Sequence, residues 1–351
     1  MKKLITIMSL AIVGSSFAQE EPTFTVTGSV DAYWRANLSS VNDDAEVFNE
    51  EGESLGMVQA NSLNGAGDYS AFGNDSGFSL GMANVKFSYE GEKVGFVADM
   101  AYGPRATAGV NLNSNGSNNG VINEMYMYWR PSESTTFYMG RFNTWMGIEK
   151  FSPVDNFNYS MSHTFTFMPR NFNGLAANFD LGNDFSLGAG IMNPVDITQG
   201  NTSGDYSVGA GLTKGDTTLS FVSSQDATNI DFVTSFDITD TFDMAVNIHK
   251  ADYEDTDFPG PGNGFTSVSL YPQFESSEDW TWGMRLEYIA FDDFATDNVI
   301  TPTLTANYSV GNLTIKPELR LDVSEEDIFY DNDGDLSSNL SSFMLGAVYS
   351  F

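Results

Sequence analysis

The side chains able to do chemistry in this chain are charged residues that recur on alternate positions, opposite apolar or aromatic neighbours. Arg35, Lys86, Arg130, Arg285, Lys316 and Arg320 form a basic series, and Asp31, Asp99, Glu124, Glu287, Glu318 and Asp322 an acidic one. In Asp31-Ala-Tyr-Trp-Arg35 and in Lys316-Pro-Glu-Leu-Arg-Leu-Asp322 the charges sit on every second or fourth residue, which places them on one face of a strand. Buried in a dry soluble core such a face would be costly. Against a water-filled lumen it costs little, and opposed charges there set a transverse field that selects ions and polar solutes. The same charges can brace the wall as salt bridges, and the two readings are compatible.

Other chemistry is thinly represented. The chain has two histidines, His163 and His249, and no Gly-x-Ser-x-Gly elbow, zinc motif or phosphate-binding loop. Serines stand near His163 in Ser160-Met-Ser-His163, a combination too common to mark a nucleophile. No enzyme activity and no cofactor are expected. Asp331-Asn-Asp-Gly-Asp335 alternates oxygen ligands as a calcium loop does, making Asp331, Asp333 and Asp335 a weak Ca²⁺ candidate. Its glycine and its later glutamate are not where an EF-hand needs them, so a solvated acidic loop is the stronger reading and no metal is expected.

The elements that must hold these residues are strands. In Phe343-Met-Leu-Gly-Ala-Val-Tyr-Ser-Phe351, residues Phe343, Leu345, Ala347, Tyr349 and Phe351 share one face. An apolar aromatic final strand is a liability in a soluble protein and fits a closed barrel whose outside meets lipid. Its end, Tyr349 and Phe351, reads as an assembly signal for the barrel assembly machinery. The same alternation predicts strands at 24–37, 78–90, 94–103, 121–130, 135–142, 172–181, 185–193, 205–214, 217–224, 229–237, 242–250, 265–274, 280–291, 300–310, 313–322 and 340–351. Short turns such as Gly91-Glu-Lys93 and Gly182-Asn-Asp184 alternate with long polar connections near 39–77, 104–120, 143–171, 251–264 and 323–339. That asymmetry belongs to outer-membrane barrels, with short periplasmic turns and long outer loops. The expected fold is therefore all-β, a transmembrane antiparallel outer-membrane β-barrel of about sixteen strands, a size that leaves an aqueous channel. Trp280, Trp282, Leu286, Phe96 and Val30 are assigned to the lipid face.

Bulk properties agree. The 351 residues contain 28 Phe and 15 Tyr, yet the hydrophobic share is only 41%, as expected when alternate residues alone need be apolar. Cysteine is absent, which excludes a disulfide scaffold and thiolate metal sites. A formal charge of −32 argues against a nucleic-acid partner. Residues 1–18 carry Lys2, Lys3, a short apolar stretch and Ser16-Phe-Ala18, the pattern of a cleaved signal peptide, leaving 19–351 as the barrel.

The stretch Gly140-Arg-Phe-Asn-Thr-Trp-Met-Gly-Ile-Glu149, with Lys150, Pro153, Asp155, Asn156 and Tyr159 after it, is the most informative connection. Together with Gly28-Ser-Val-Asp-Ala-Tyr-Trp34 and Ala101-Tyr-Gly-Pro-Arg105 it resembles the β-barrel porin family of Bacteroidota-type outer membranes. The resemblance covers most of the chain after residue 18 and implies an outer-membrane barrel with passive diffusion activity, without assigned catalytic residues or a settled substrate. By analogy with porins the third long loop folds inward, which would bring Arg141, Glu149, Lys150 and Asp155 to a constriction; the alternative is a loop lying on the rim. The expected function is passive diffusion of small hydrophilic solutes or ions across the bacterial outer membrane. The acidic loops give it a mild cation preference. The alternative is a structural or docking barrel in a surface or secretion complex. The expected partners are outer-membrane lipid, the assembly machinery and the solutes themselves, and homo-oligomer formation is left open.

Overall fold

The computed structural model describes residues 22–42, 45–48, 54–58, 75–106, 122–194, 201, 204–254 and 262–351. Residues 1–18, expected from sequence to be a signal peptide, and most of the stretches 39–77 and 104–120 lie outside these residues.

Alternation is what builds the wall. β1 (Thr23–Asn37) turns Phe24, Val26, Val30 and Trp34 outward and Ser29, Asp31, Tyr33 and Arg35 inward. A short hairpin follows, β2 (Ala45–Phe48) with β3 (Ser54–Val58), inside a stretch read from sequence as plain loop. The wall continues through β4 (Gly77–Glu90), β5 (Val94–Tyr102), β6 (Ile122–Ser132), β7 (Thr135–Asn143), β8 (Asn171–Gly182), β9 (Phe185–Met192), β10 (Ser207–Lys214) and β11 (Thr217–Ser223). It is completed by β12 (Ala227–Thr239), β13 (Phe242–Tyr253), β14 (Gly264–Glu275), β15 (Trp280–Asp292), β16 (Asn298–Val310), β17 (Leu313–Ser324) and β20 (Asn339–Ser350), with a minute hairpin of β18 (Phe329–Tyr330) and β19 (Leu336–Ser337) before the last strand.

Sixteen antiparallel strands close on themselves, each paired with its neighbours in the chain, and β1 pairs with β20 to seal the ring. At the seam the Gly28 amide donates to the Phe351 carbonyl and the Phe351 amide to the Gly28 carbonyl, both at 3.0 Å. A side chain at Gly28 would drive a Cβ to 2.7 Å from the Phe351 ring and 2.5 Å from the Asn84 carbonyl, so the closure needs glycine there. The turns at one end are tight. Gly182, Asn183 and Asp184 carry φ of 76°, 52° and 64°, the left-handed backbone that matches hairpin twist.

The outer face is apolar, with Trp282, Leu286, Val30 and Phe96 all exposed. Aromatic side chains gather at the short-turn end, where Trp129 stacks on Phe137 and Trp280 packs against Tyr308 at 4.9 Å. A belt of this kind suits the membrane–water interface. Among the described residues no helix is long and apolar enough to cross a membrane.

Candidate functional site

The space inside the ring is occupied by the chain between β7 and β8. Loop residues Tyr159, Met146 and Met161 are fully buried there, and the loop carries the one-turn helix His163–Phe167, capped by the Ser162 hydroxyl accepting from the Phe165 amide. Its polar backbone must be satisfied inside the barrel, and wall side chains do this.

Three carboxylates hold one run of amides. Glu318 accepts from the Tyr159 amide at 2.8 Å and the Ser160 amide at 3.2 Å. Glu149, itself on the loop, accepts from the Ser162 amide at 2.8 Å and its hydroxyl at 2.7 Å. Glu287 accepts from the His163 amide at 2.9 Å, the Thr164 amide at 2.7 Å and the Thr164 hydroxyl at 2.7 Å. Charge-assisted bonds of this kind are about twice as strong as neutral ones.

Cations take the loop carbonyls. Arg285 is paired with Glu149 at 2.7 Å and also donates to the Ser160 carbonyl at 2.7 Å. Arg320 donates to the Met161 carbonyl at 2.7 Å and is held by Asp322, which also meets the His163 ring at 2.9 Å. Lys316 donates to the carbonyls of Pro153 and Asn156. Two strands further round the ring, on β1, Asp31 accepts from the Tyr159 hydroxyl, while Arg105 reaches the Tyr159 carbonyl at 3.0 Å and lies over its ring. Asp231 receives the Gly147 amide at 2.8 Å, and the other histidine, His249, leans on the same carboxylate.

These contacts revise the expected lining. Arg285, Glu287, Glu318 and Lys316 are 0%, 1%, 2% and 3% exposed, so they are anchors for the loop and do not face an open channel. Arg320, Asp322, Asp31 and Arg35 are buried on the inward face as well. Glu149, between Ser162 and Arg285, belongs to the set of contacts that latches the loop to the wall. Arg141 departs further from expectation: it pairs across the sheet with Met125 and Asn173, on the outward parity of Met139. Its guanidinium folds along the wall, donating to the Asn123 carbonyl and the Asn171 side chain, each at 3.0 Å.

Along β4–β6 a second charged column runs on the inward face, with Lys86 accessible to water and Asp99 and Glu124 buried behind it. Lys86, with its side chain 39% exposed, is paired with Glu124 at 3.1 Å. Asp99 accepts from Asn84 and Asn123, and Glu124 also accepts from the Asn143 amide. The loop contributes exposed Asp155 and half-buried Lys150 to this side. Burial pulls the Lys150 ammonium below its ordinary value, opposed by Asp155 and Glu124. Nearer the short-turn end Arg130 pairs with Glu90 at 2.9 Å and lies over the Tyr128 ring. The column therefore combines cations and carboxylates beside the loop, an arrangement able to select small charged or polar solutes.

Sequence reasoning missed the wall glycines that admit the loop. Phe157 lies over Gly283, Tyr159 over Gly346 and Trp145 over Gly209, and a Cβ at any of the three would come within 3.0 Å of the ring. Asp331, Asp333 and Asp335 do not converge: Asp331 turns back to accept the amides of Asp333 and Asp335. The carboxylates that do converge among the described residues are the exposed Asp297, Glu325 and Glu326. Among the described residues neither histidine ring is hydrogen-bonded to a serine hydroxyl as a triad would need: the His163 ring meets Asp322 and the His249 ring meets Asp231 and Asn229.

Comparison with known proteins follows this geometry. Residues 23–351 match the family model described as "Putative beta-barrel porin-2, OmpL-like". Among curated proteins nothing matches. Solved structures share the fold: the anion-selective porin from Comamonas acidovorans has a TM-score of 0.56 at 12% identity, covering 94% of this chain and 100% of that one. OmpF of Salmonella typhi in complex with daunomycin has a TM-score of 0.59 at 10% identity, covering 93% and 97%. An in-vitro folded OmpT of Vibrio cholerae, in a trimer form, has a TM-score of 0.54 at 11% identity, covering 95% and 100%. At these identities the likeness is one of fold.

Proposed function

On the premise that the chain belongs to the porin-2, OmpL-like family of β-barrel porins, we propose that it conducts small hydrophilic solutes or ions through the bacterial outer membrane by passive diffusion. The carrying observation is the charged column of Lys86, Asp99, Glu124, Lys150 and Asp155 beside the loop, in which Lys86, Lys150 and Asp155 keep exposure to water and Asp99 and Glu124 are buried against them. Three carboxylates against two ammonium groups, under a chain charge of −32, support a mild cation preference. Salt screens the part of that preference arising at the mouth, over a Debye length of about 10 Å at 0.1 M.

The supporting partners are those a barrel of this class needs: lipid around the apolar face, the assembly machinery reading Tyr349 and Phe351, and further copies of the chain, as in the trimer form of the similar OmpT. Residues 1–18 serve as the signal peptide on this reading. The family and the spent histidines favour a channel without enzyme activity.

A second reading has its own observation. The inward face from β13 to β17 is buried beneath the loop, which suits a plugged barrel acting as a structural or docking component. Purified protein in a planar bilayer separates the two. Discrete conductance steps with a reversal potential mildly favouring cations support diffusion. A folded, inserted barrel that passes no current supports docking, and a reversal potential favouring anions removes the cation preference.

A further inference from the structure

Lys316 on β17 is a buried cation whose ammonium meets loop carbonyls alone. It is 3% exposed, and among the described residues no carboxylate lies within salt-bridge distance of it. An ammonium has three N–H groups and no acceptor. The Lys316 Nζ is within hydrogen-bond reach of three carbonyls in one short turn: Pro153 at 2.8 Å, Asn156, and Phe157 at 3.5 Å. Holding a charge inside the barrel with no counter-charge in contact is costly. Here that charge gathers the carbonyls on both sides of Asp155. Asn156 closes the turn on itself. Its side-chain oxygen accepts from the Lys150 amide at 2.7 Å, and its side-chain nitrogen donates to the Lys150 carbonyl at 2.6 Å. The Asp155 amide donates to the Ser152 carbonyl at 3.1 Å.

The base of the turn is thus fixed, to the wall and to itself, while Val154 and Asp155 at its tip are exposed. Among the described residues the Asp155 carboxylate has no hydrogen bond or ion pair of its own, so its backbone is what places it. It stands within electrostatic reach of Lys86 and Lys150. Granting the diffusion reading above, we infer that Lys316 and Asn156 are positioning residues for ion selectivity: both are buried away from any permeant ion, and together they hold the Asp155 carboxylate in place beside Lys86 and Lys150. The pull of a charge on a passing ion falls with distance and with screening. A carboxylate fixed at the column acts on every ion that passes, whereas one on a slack turn spreads its effect over a larger space.

The test is a double-mutant cycle on the reversal potential, with the folded full barrel in a planar bilayer under a potassium chloride gradient. Asp155→Asn should shift the potential of the unaltered barrel toward anions. In a Lys316→Met background that shift should be at least halved. The same loss is expected in Asn156→Ala, which removes no charge. Loss of the Lys316 charge by itself would move the baseline toward cations and leave the Asp155 shift whole, so the cycle separates positioning from simple electrostatics. A full Asp155 shift retained in either folded background overturns the inference for that residue, while the diffusion reading stands. An unaltered barrel that conducts but ignores Asp155→Asn overturns it for both. A barrel that passes no current overturns the diffusion reading and the inference with it. Heat-modifiable gel mobility identifies folded variants, and the Asn156→Ala arm decides the matter if Lys316→Met fails to fold.

Discussion

Replacing Glu149 with leucine should loosen the luminal loop while leaving the wall closed. Arg285 is fully buried, and among the described residues its one carboxylate contact within salt-bridge distance is Glu149 at 2.7 Å. The substitution leaves that cation with only the Ser160 and Thr303 oxygens, and strips the Ser162 amide and hydroxyl of their acceptor. Breaking a buried pair by removing one partner costs roughly 3–5 kcal/mol. The wall has its own ladder of backbone bonds, so the cost falls on the docked state of the loop. At 1.4 kcal/mol per tenfold, the undocked population rises between about a hundredfold and a few thousandfold. The chain has no native cysteine, so a single thiol reports the change cleanly. Met161→Cys places it on the loop at a position with no exposure, where a water-soluble maleimide reacts only when the loop leaves the wall. Labelling should accelerate by that factor in Glu149→Leu, and single-channel conductance should rise. The double variant Glu149→Leu with Arg285→Met removes both charges and should recover much of the protection. Protection unchanged in Glu149→Leu, or no recovery in the double variant, would refute the latch.

Three further outcomes are expected. Asp155→Lys should shift the reversal potential toward anions in a planar bilayer, because Asp155 is exposed beside Lys86 and Lys150, whereas Glu149→Lys should act on loop docking first. Leu286→Arg puts a charge on the lipid face and should destabilise the barrel by roughly 2–4 kcal/mol in urea titrations from vesicles; a neutral result would mean that Leu286 does not meet hydrocarbon. Gly28→Val should weaken the seam against Phe351, and deleting Phe351 should do the same. Both should reduce the heat-modifiable folded form in membranes, and normal abundance of that form would show closure to be independent of this contact.

The wall was legible because its signal is local. A period of two needs only neighbouring residues, and where lipid and lumen differ so sharply a register slip would turn every charge to the wrong side. All sixteen predicted strands are present, with ends shifted by a few residues at most, and Arg285 opposite Trp282 and Leu286 falls as expected. The small hairpin Ala45–Phe48 with Ser54–Val58 was hidden by its polar surroundings. The site was half legible. Alternation places Glu287 and Glu318 inward, but whether an inward carboxylate meets water or an amide depends on where the third loop lies, which no local pattern encodes. One clue stood in plain view: Gly209, Gly283 and Gly346 occupy inward positions where a wall facing water has no need of bareness. Arg141 misled because the sequence gives its parity relative to Met139 and nothing of the rim on which its side chain folds.

The latch also has an order in time. Every pair of strands in the wall except the seam joins segments adjacent along the chain, so the wall can grow hairpin by hairpin. The loop's anchors are remote. Gly147 finds Asp231 after 84 residues, Glu149 finds Arg285 after 136, and Pro153 finds Lys316 after 163. Loop closure over such spans costs entropy that is recovered only once the distant partner is in place. Docking is therefore complete only when β12 to β17 stand together as a wall, whichever end of the sheet forms first. The strands that carry Asp231, Arg285 and Lys316, besides sealing the circumference, set the bore by holding the loop.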